Sequence, residues 1–183
     1  MNQRSISRRN FIRLSATGAG CMFMAGCYNL PKSSRFILTY EEANILDALA
    51  DQIIPPDEFA GGRDAGVTNF IDKQLAGFYN EHTEMYRSCL KGLDTTAREV
   101  FGKGFTELEF NTQFEYLTDI ESGKFNSADW NGNTPSSFFN TLRNHCLQGY
   151  YGSPRHGGNK DHVSYRMMKL DYPFLVGRNH HLQ

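Results

Sequence analysis

Apolar residues in this chain recur three and four positions apart in one segment after another, and no stretch of useful length alternates apolar with polar. That spacing lines side chains along one face of a helix; a half-buried strand needs the alternation that is missing. Ile45, Leu46, Leu49 and Ile53 form the first stripe, and Val67, Phe70, Ile71, Gln74 and Leu75 the second. Tyr86, Cys89, Leu90, Leu93, Ala97 and Val100 form the third, and Phe110, Phe114, Leu117 and Ile120 the fourth. Phe138, Phe139, Leu142, Cys146, Leu147 and Tyr150 form the fifth. The expected fold is all-α, with about five helices in one domain, long structured loops and an extended C-terminal tail.

Local signals punctuate these stripes. Thr39 and Glu42 form a capping box, and Pro55-Pro56 stops the first helix because proline has no amide hydrogen. Asp64 is placed to cap the second helix and Gly77 to end it. The third is expected over about 81–100, with Gly92 a mild interruption. Thr106 and Glu109 repeat the capping-box pattern ahead of the fourth. A polar loop around Trp130 is expected over 122–134, and Thr134-Pro135 opens the fifth helix with proline at its favoured first position. From Gly152 on, the chain reads as loop, with a short helix near 163–168 and aromatic residues Tyr165, Tyr172 and Phe174. A tail so long and aromatic is expected to pack on the domain or on a partner.

The N-terminus is not part of this pattern. Ser7-Arg8-Arg9-Asn10-Phe11-Ile12-Arg13 fits a twin-arginine export motif, followed by an apolar run rich in small residues. The run, from Leu14 to Gly26, is too short to cross a ~30 Å hydrocarbon core as a helix. Charged region, apolar region and small-residue region follow in the order of a cleavable signal. Arg8 and Arg9 are its defining residues, and the twin-arginine translocase is the expected first partner. Met24-Ala25-Gly26-Cys27 resembles a lipobox, which makes Cys27 a candidate for lipidation; ordinary cleavage without lipid is the alternative. The organisation expected is a signal over 1–26, a linker over 27–38 and a helical domain over 39–183.

Removing the signal takes away Arg4, Arg8, Arg9 and Arg13 and no acidic residue. The mature part then holds 15 Lys and Arg against 20 Asp and Glu, a net charge of −5. Such a chain has no electrostatic drive toward nucleic acid. Cys89 and Cys146 remain beside Cys27, and an exported compartment permits disulfides. A bridge between the two, two buried thiols and a bridge to another chain all stay open.

No catalytic, cofactor-binding or metal-ligating residue is assigned. The chain has no CxxC, no GxSxG elbow and no glycine-rich phosphate loop after a strand. His156 and His162 flank a Gly-Gly turn, with His145 nearby in sequence, but no pair has the HxxxH spacing of a helical metal site. Asp47, Asp51, Glu41 and Glu42 read as a solvated helix face. The distinctive stretch is 149–159, which combines tyrosines, an arginine and two glycines. Tyr150, Tyr151, Arg155, His156 and Asn159 are the candidate partner interface, because tyrosine and arginine are enriched at protein interfaces. An aromatic helix end capped by a loop is the plainer alternative.

Leu38-Thr39-Tyr40-Glu41-Glu42-Ala43, the run from Leu46 to Asp57, Asp64-Ala65-Gly66-Val67 and Phe70-Ile71-Asp72-Lys73-Gln74-Leu75 resemble the first half of gluconate 2-dehydrogenase subunit 3. Phe138-Phe139, Leu142-Arg143, His145, Gly149-Tyr150-Tyr151-Gly152-Ser153-Pro154-Arg155 and Gly157-Gly158-Asn159-Lys160-Asp161 resemble its second half. The resemblance implies a small, non-catalytic subunit of a periplasmic, membrane-associated dehydrogenase acting on sugars or sugar acids. It implies a large glucose-methanol-choline-type flavoprotein partner carrying FAD and, in many complexes, a multihaem cytochrome c subunit carrying haem c. It also implies a role in maturing the large subunit and carrying it through the twin-arginine pore. Membrane attachment would come through a lipid on Cys27 or through a partner. Two other readings compete: a stand-alone exported lipoprotein binding a small ligand, and a small metalloenzyme using His145, His156 and His162.

Overall fold

The computed structural model describes residues 36–125 and 130–170. Arg8, Arg9, Cys27, Tyr172 and Phe174 lie outside the described residues, as does most of the expected linker. Six α-helices stand among the described residues: α1 (Tyr40–Ile53), α2 (Val67–Leu75), α3 (Thr83–Phe101), α4 (Phe110–Glu121), α5 (Pro135–Tyr151) and α6 (Val163–Met167). There is no strand among them. The five expected helices are all present, and the short helix expected near 163–168 is α6. None is long and apolar enough to cross a membrane.

α5 packs against α2 on one side and α4 on the other, while α1 lies against α2 and α3. Leu46, Leu49, Ile71, Tyr86, Leu90, Leu93, Ile120 and Leu142 meet in one core. The N-termini of α1 and α5 follow from local chemistry. Thr39 N donates to the Glu42 carboxylate at 2.8 Å and Glu42 N to Thr39 Oγ1 at 3.2 Å. At α5, Ser137 N donates to Thr134 Oγ1 at 3.3 Å, with Pro135 in the first turn.

Several expectations fail for long-range reasons. Asp64 does not cap α2; the helix starts after Gly66, held in the left-handed region at φ 78°. The turn before it is set instead by Lys160 N, which donates to Ala65 O at 2.9 Å. The second capping box, expected at Thr106 and Glu109, does not form; only its carboxylate half is found, two residues earlier, at a glycine that has no side chain to complete it. Gly104 N donates to Glu107 Oε2 at 2.7 Å and closes a 3-10 turn, because buried Phe105 is fixed there by its own N–H to Asp94 Oδ1 at 2.8 Å. α4 then begins at Phe110 and buries Gln113, Tyr116, Leu117 and Ile120, leaving Phe110 and Phe114 exposed. Val100 and Leu147 are also exposed, not inward.

Trp130 is fully buried, although its surroundings read as a polar loop. Gly92 is its slot: a Cβ added there would stand 3.2 Å from the indole ring. The glycine therefore admits the indole rather than interrupting α3. Cys89 and Cys146 are two separate buried thiols, with no bridge between them. Burial pushes the Cys89 thiol up to about 11 and the Cys146 thiol higher still.

One contact fixes where the domain begins. Asp72 on α2 is buried, and its carboxylate accepts the backbone N–H groups of Phe36, Ile37 and Leu38 at 2.7, 2.9 and 2.9 Å. Three donors replace the water that a buried carboxylate would otherwise lose.

Candidate partner interface

α5 ends at Tyr151, and the segment from 152 to 162 folds back over its last turn. The path needs unusual backbone. Gly157 sits at φ 104°, and three residues with side chains, Asn159, Asp161 and His162, also lie in the left-handed region. Each such residue costs on the order of 1 kcal/mol unless its surroundings hold it. Here they do. Asn159 is fully buried; its Nδ2 donates to Gly152 O at 2.9 Å and its Oδ1 accepts from Ser164 N at 3.0 Å. Asn69 on α2 donates to Gly157 O at 2.7 Å. Gly158 lies directly on the α5 backbone, where a Cβ would come within 2.1 Å of Gly149 O. The two glycines of the loop thus serve close backbone approach, as their pairing in the sequence suggests.

The five residues proposed as an interface divide by exposure. Tyr151 is 42% exposed, and Arg155 and His156 are exposed beside it. Arg155 Nε lies 3.0 Å from His156 Nε2. Tyr150 and Asn159 point inward and present no surface. Tyr150 instead donates its hydroxyl to Ala60 O at 2.9 Å and ties the end of α5 to the loop after α1. Phe78, 79% exposed between α2 and α3, is a large apolar surface residue that periodicity did not reveal. Its neighbour Tyr79 hydrogen-bonds Gln148 on α5.

Behind this surface lies a buried ring stack. Tyr79 stacks on His145 at 4.4 Å between centroids, 3° from parallel. On the other side, Tyr86 approaches His145 Nδ1 through its hydroxyl at 2.8 Å. Burial drives the Tyr86 phenol well above its usual range, so it keeps its proton. Burial, then the nearby His82, push the His145 pKa down to about 4, so the ring is neutral. His145, His156 and His162 are not brought together, and no group of three His, Cys, Asp or Glu side chains among the described residues is arranged to hold a metal ion.

The carboxylates have structural partners. Asp51, read as solvated, accepts Arg63 N at 2.9 Å and pairs with its guanidinium at 3.5 Å. Desolvation raises its pKa in spite of those contacts. A cleft of about 510 Å³ opens between the start of α1 and α3. Of its charged lining, Glu42 serves the α1 cap, Arg87 pairs with Glu84, and Asp94 with Arg98. At the end of α5 the arrangement offers an exposed, tyrosine-bearing surface.

Comparison with curated proteins and with solved structures gives no match. The profile of gluconate 2-dehydrogenase subunit 3 matches residues 40–171, from the first residue of α1 to just beyond α6. The match takes in the capped first helix, the Asp72 helix and the whole strapped loop, and with well over half its length covered the chain belongs to the gluconate 2-dehydrogenase subunit 3 family.

Proposed function

We propose that this chain is the non-catalytic small subunit of a periplasmic, membrane-associated flavin dehydrogenase that oxidises a sugar or sugar acid. The family match over 40–171 carries the reading, since the family is a subunit of dehydrogenase complexes. The twin-arginine motif at Arg8 and Arg9 supports the rest. A flavoprotein must take up FAD before its fold closes, and so must cross the membrane folded. A large subunit without its own signal would cross as the passenger of this one. FAD belongs to that glucose-methanol-choline-type partner, and haem c to a cytochrome subunit that takes the electrons onward. Attachment to the membrane comes through a lipid on Cys27 or through the partners.

In this reading Tyr151, Arg155 and His156 meet the large subunit. Tyrosine gives large contact area at low rotamer cost, and the arginine fork fits a carboxylate or backbone carbonyls. The test is co-expression of the full chain with the large subunit, purification from membranes and a flavin absorbance scan. A complex with flavin is expected. Tyr151→Ala with Arg155→Ala should weaken it by roughly 30-fold while circular dichroism shows the helices intact. A chain that purifies alone, with periplasmic dehydrogenase activity indifferent to its deletion, would overturn the subunit reading.

A further inference from the structure

Phe139, Arg143, Leu147 and Tyr151 follow one another at four-residue spacing in α5. They therefore form one row along the helix, roughly 18 Å from end to end. Tyr151 at one end belongs to the loop surface. At the other end lies a groove of about 210 Å³, where the end of α1, α4 and α5 meet. Ile53, Phe114, Leu117 and Phe139 give it apolar walls. Phe114 is 60% exposed, and Phe110, one helical turn earlier on α4, is 48% exposed.

We propose that the dehydrogenase partner lies along this row and seats a large apolar side chain in the groove, making it a second anchor besides the loop. The inference rests on the partner reading above. Single exposed apolar residues need no explanation, but two phenyl rings one turn apart, one of them lining a side-chain-sized groove, form a patch of the kind that marks a contact surface. The charged rim asks for no charged ligand, because Arg143 already pairs with Glu121 at 2.9 Å. An apolar centre with a self-satisfied polar rim is the layout of a protein interface.

The lining of the groove also lacks one hydrogen bond. Gln113 donates to Phe105 O at 2.8 Å, which turns its own amide oxygen toward Gln52. Gln52 Nε2 then gives its protons to that oxygen and to Phe110 O, both at 3.0 Å. The two backbone carbonyls fix both amides, so Gln52 Oε1 is left buried with no donor. A backbone N–H arriving beside the apolar side chain supplies it. The row winds from the groove to the loop surface, so one partner lying along it can reach both ends.

The test uses the full chain in complex with the large subunit. Phe114→Ala and Phe114→Glu are measured beside Tyr151→Ala with Arg155→Ala. Phe114 is mostly exposed, so both variants should fold, which melting curves check. Phe114→Ala should weaken the complex about ten- to thirty-fold and Phe114→Glu should abolish it. Binding of Phe114→Glu within twofold of the parent overturns the groove. If the Tyr151 and Arg155 variant alone weakens binding, the loop stands and the groove falls; if the Phe114 variants alone do so, the groove stands and the loop falls. Sedimentation of the isolated chain covers the remaining case: a dimer that Phe114→Glu breaks would give the groove to a second copy and overturn the proposal.

Discussion

His145 stays neutral because burial would strip the water from a charged ring, and the nearby His82 adds to the penalty. Its pKa falls from 6.5 to about 4 on folding. Between those values the unfolded chain binds the proton that the folded chain refuses, so this ring makes stability fall as pH drops from about 6.5 toward 4. The slope from one such group is at most about 1.4 kcal/mol per pH unit. Urea titrations across that window should show the fall, and His145→Gln, which keeps an acceptor for Tyr86, should flatten it. An unchanged slope in the variant would assign the acid sensitivity elsewhere. None of this was legible in the sequence. His145 and Tyr86 are 59 residues apart, and a histidine on a helix names neither its neighbours nor its protonation state.

Among the elements, the strapped loop depends on the contact of Gly158 with Gly149. In Gly158→Ala the new methyl would meet a backbone carbonyl that no rotamer change can move. The loop and the end of α5 must part, at a cost of about 3 kcal/mol. Gly77→Ala is the control, since its Cβ would find only one atom, at an ordinary 3.6 Å. Denaturant midpoints should separate the two variants clearly; similar midpoints would mean that the loop is not held by close packing. The helices were legible because their signals are local: Thr39 with Glu42, Thr134 with Pro135, and apolar stripes at helical spacing. The inward face of α4 was not, because a hydrogen-bonded Gln113 takes a place that hydrophobicity would have given to Phe110 or Phe114. Trp130 was missed for the converse reason: its slot is an absence of side chain at Gly92, far away in sequence.

At the scale of the whole molecule, no described helix is long and apolar enough to cross a membrane, and the proposed export rests on the arginine pair near the N-terminus. Arg8→Lys combined with Arg9→Lys keeps the charge and removes the paired guanidinium groups. The double variant should leave the precursor, and the large subunit with it, in the cytoplasm. Cell fractionation with an activity assay checks this, and normal periplasmic yield would remove the twin-arginine reading. Of the candidate interface residues, Tyr151, Arg155 and His156 reach the surface, while Tyr150 and Asn159 turn inward, a division set by which side of α5 the loop folds over.

The Asp72 carboxylate gives the domain a mechanical character. Force applied through the chain ahead of Phe36 reaches three N–H groups gripped by one side chain before it reaches α1. Because Phe36, Ile37 and Leu38 share that grip, no one of them carries the tension alone, and the load passes sideways into α2. The first helix is thus shielded from unwinding at its leading end. Tension entering at Phe36 would thus spread through α2 into the packed body of the fold.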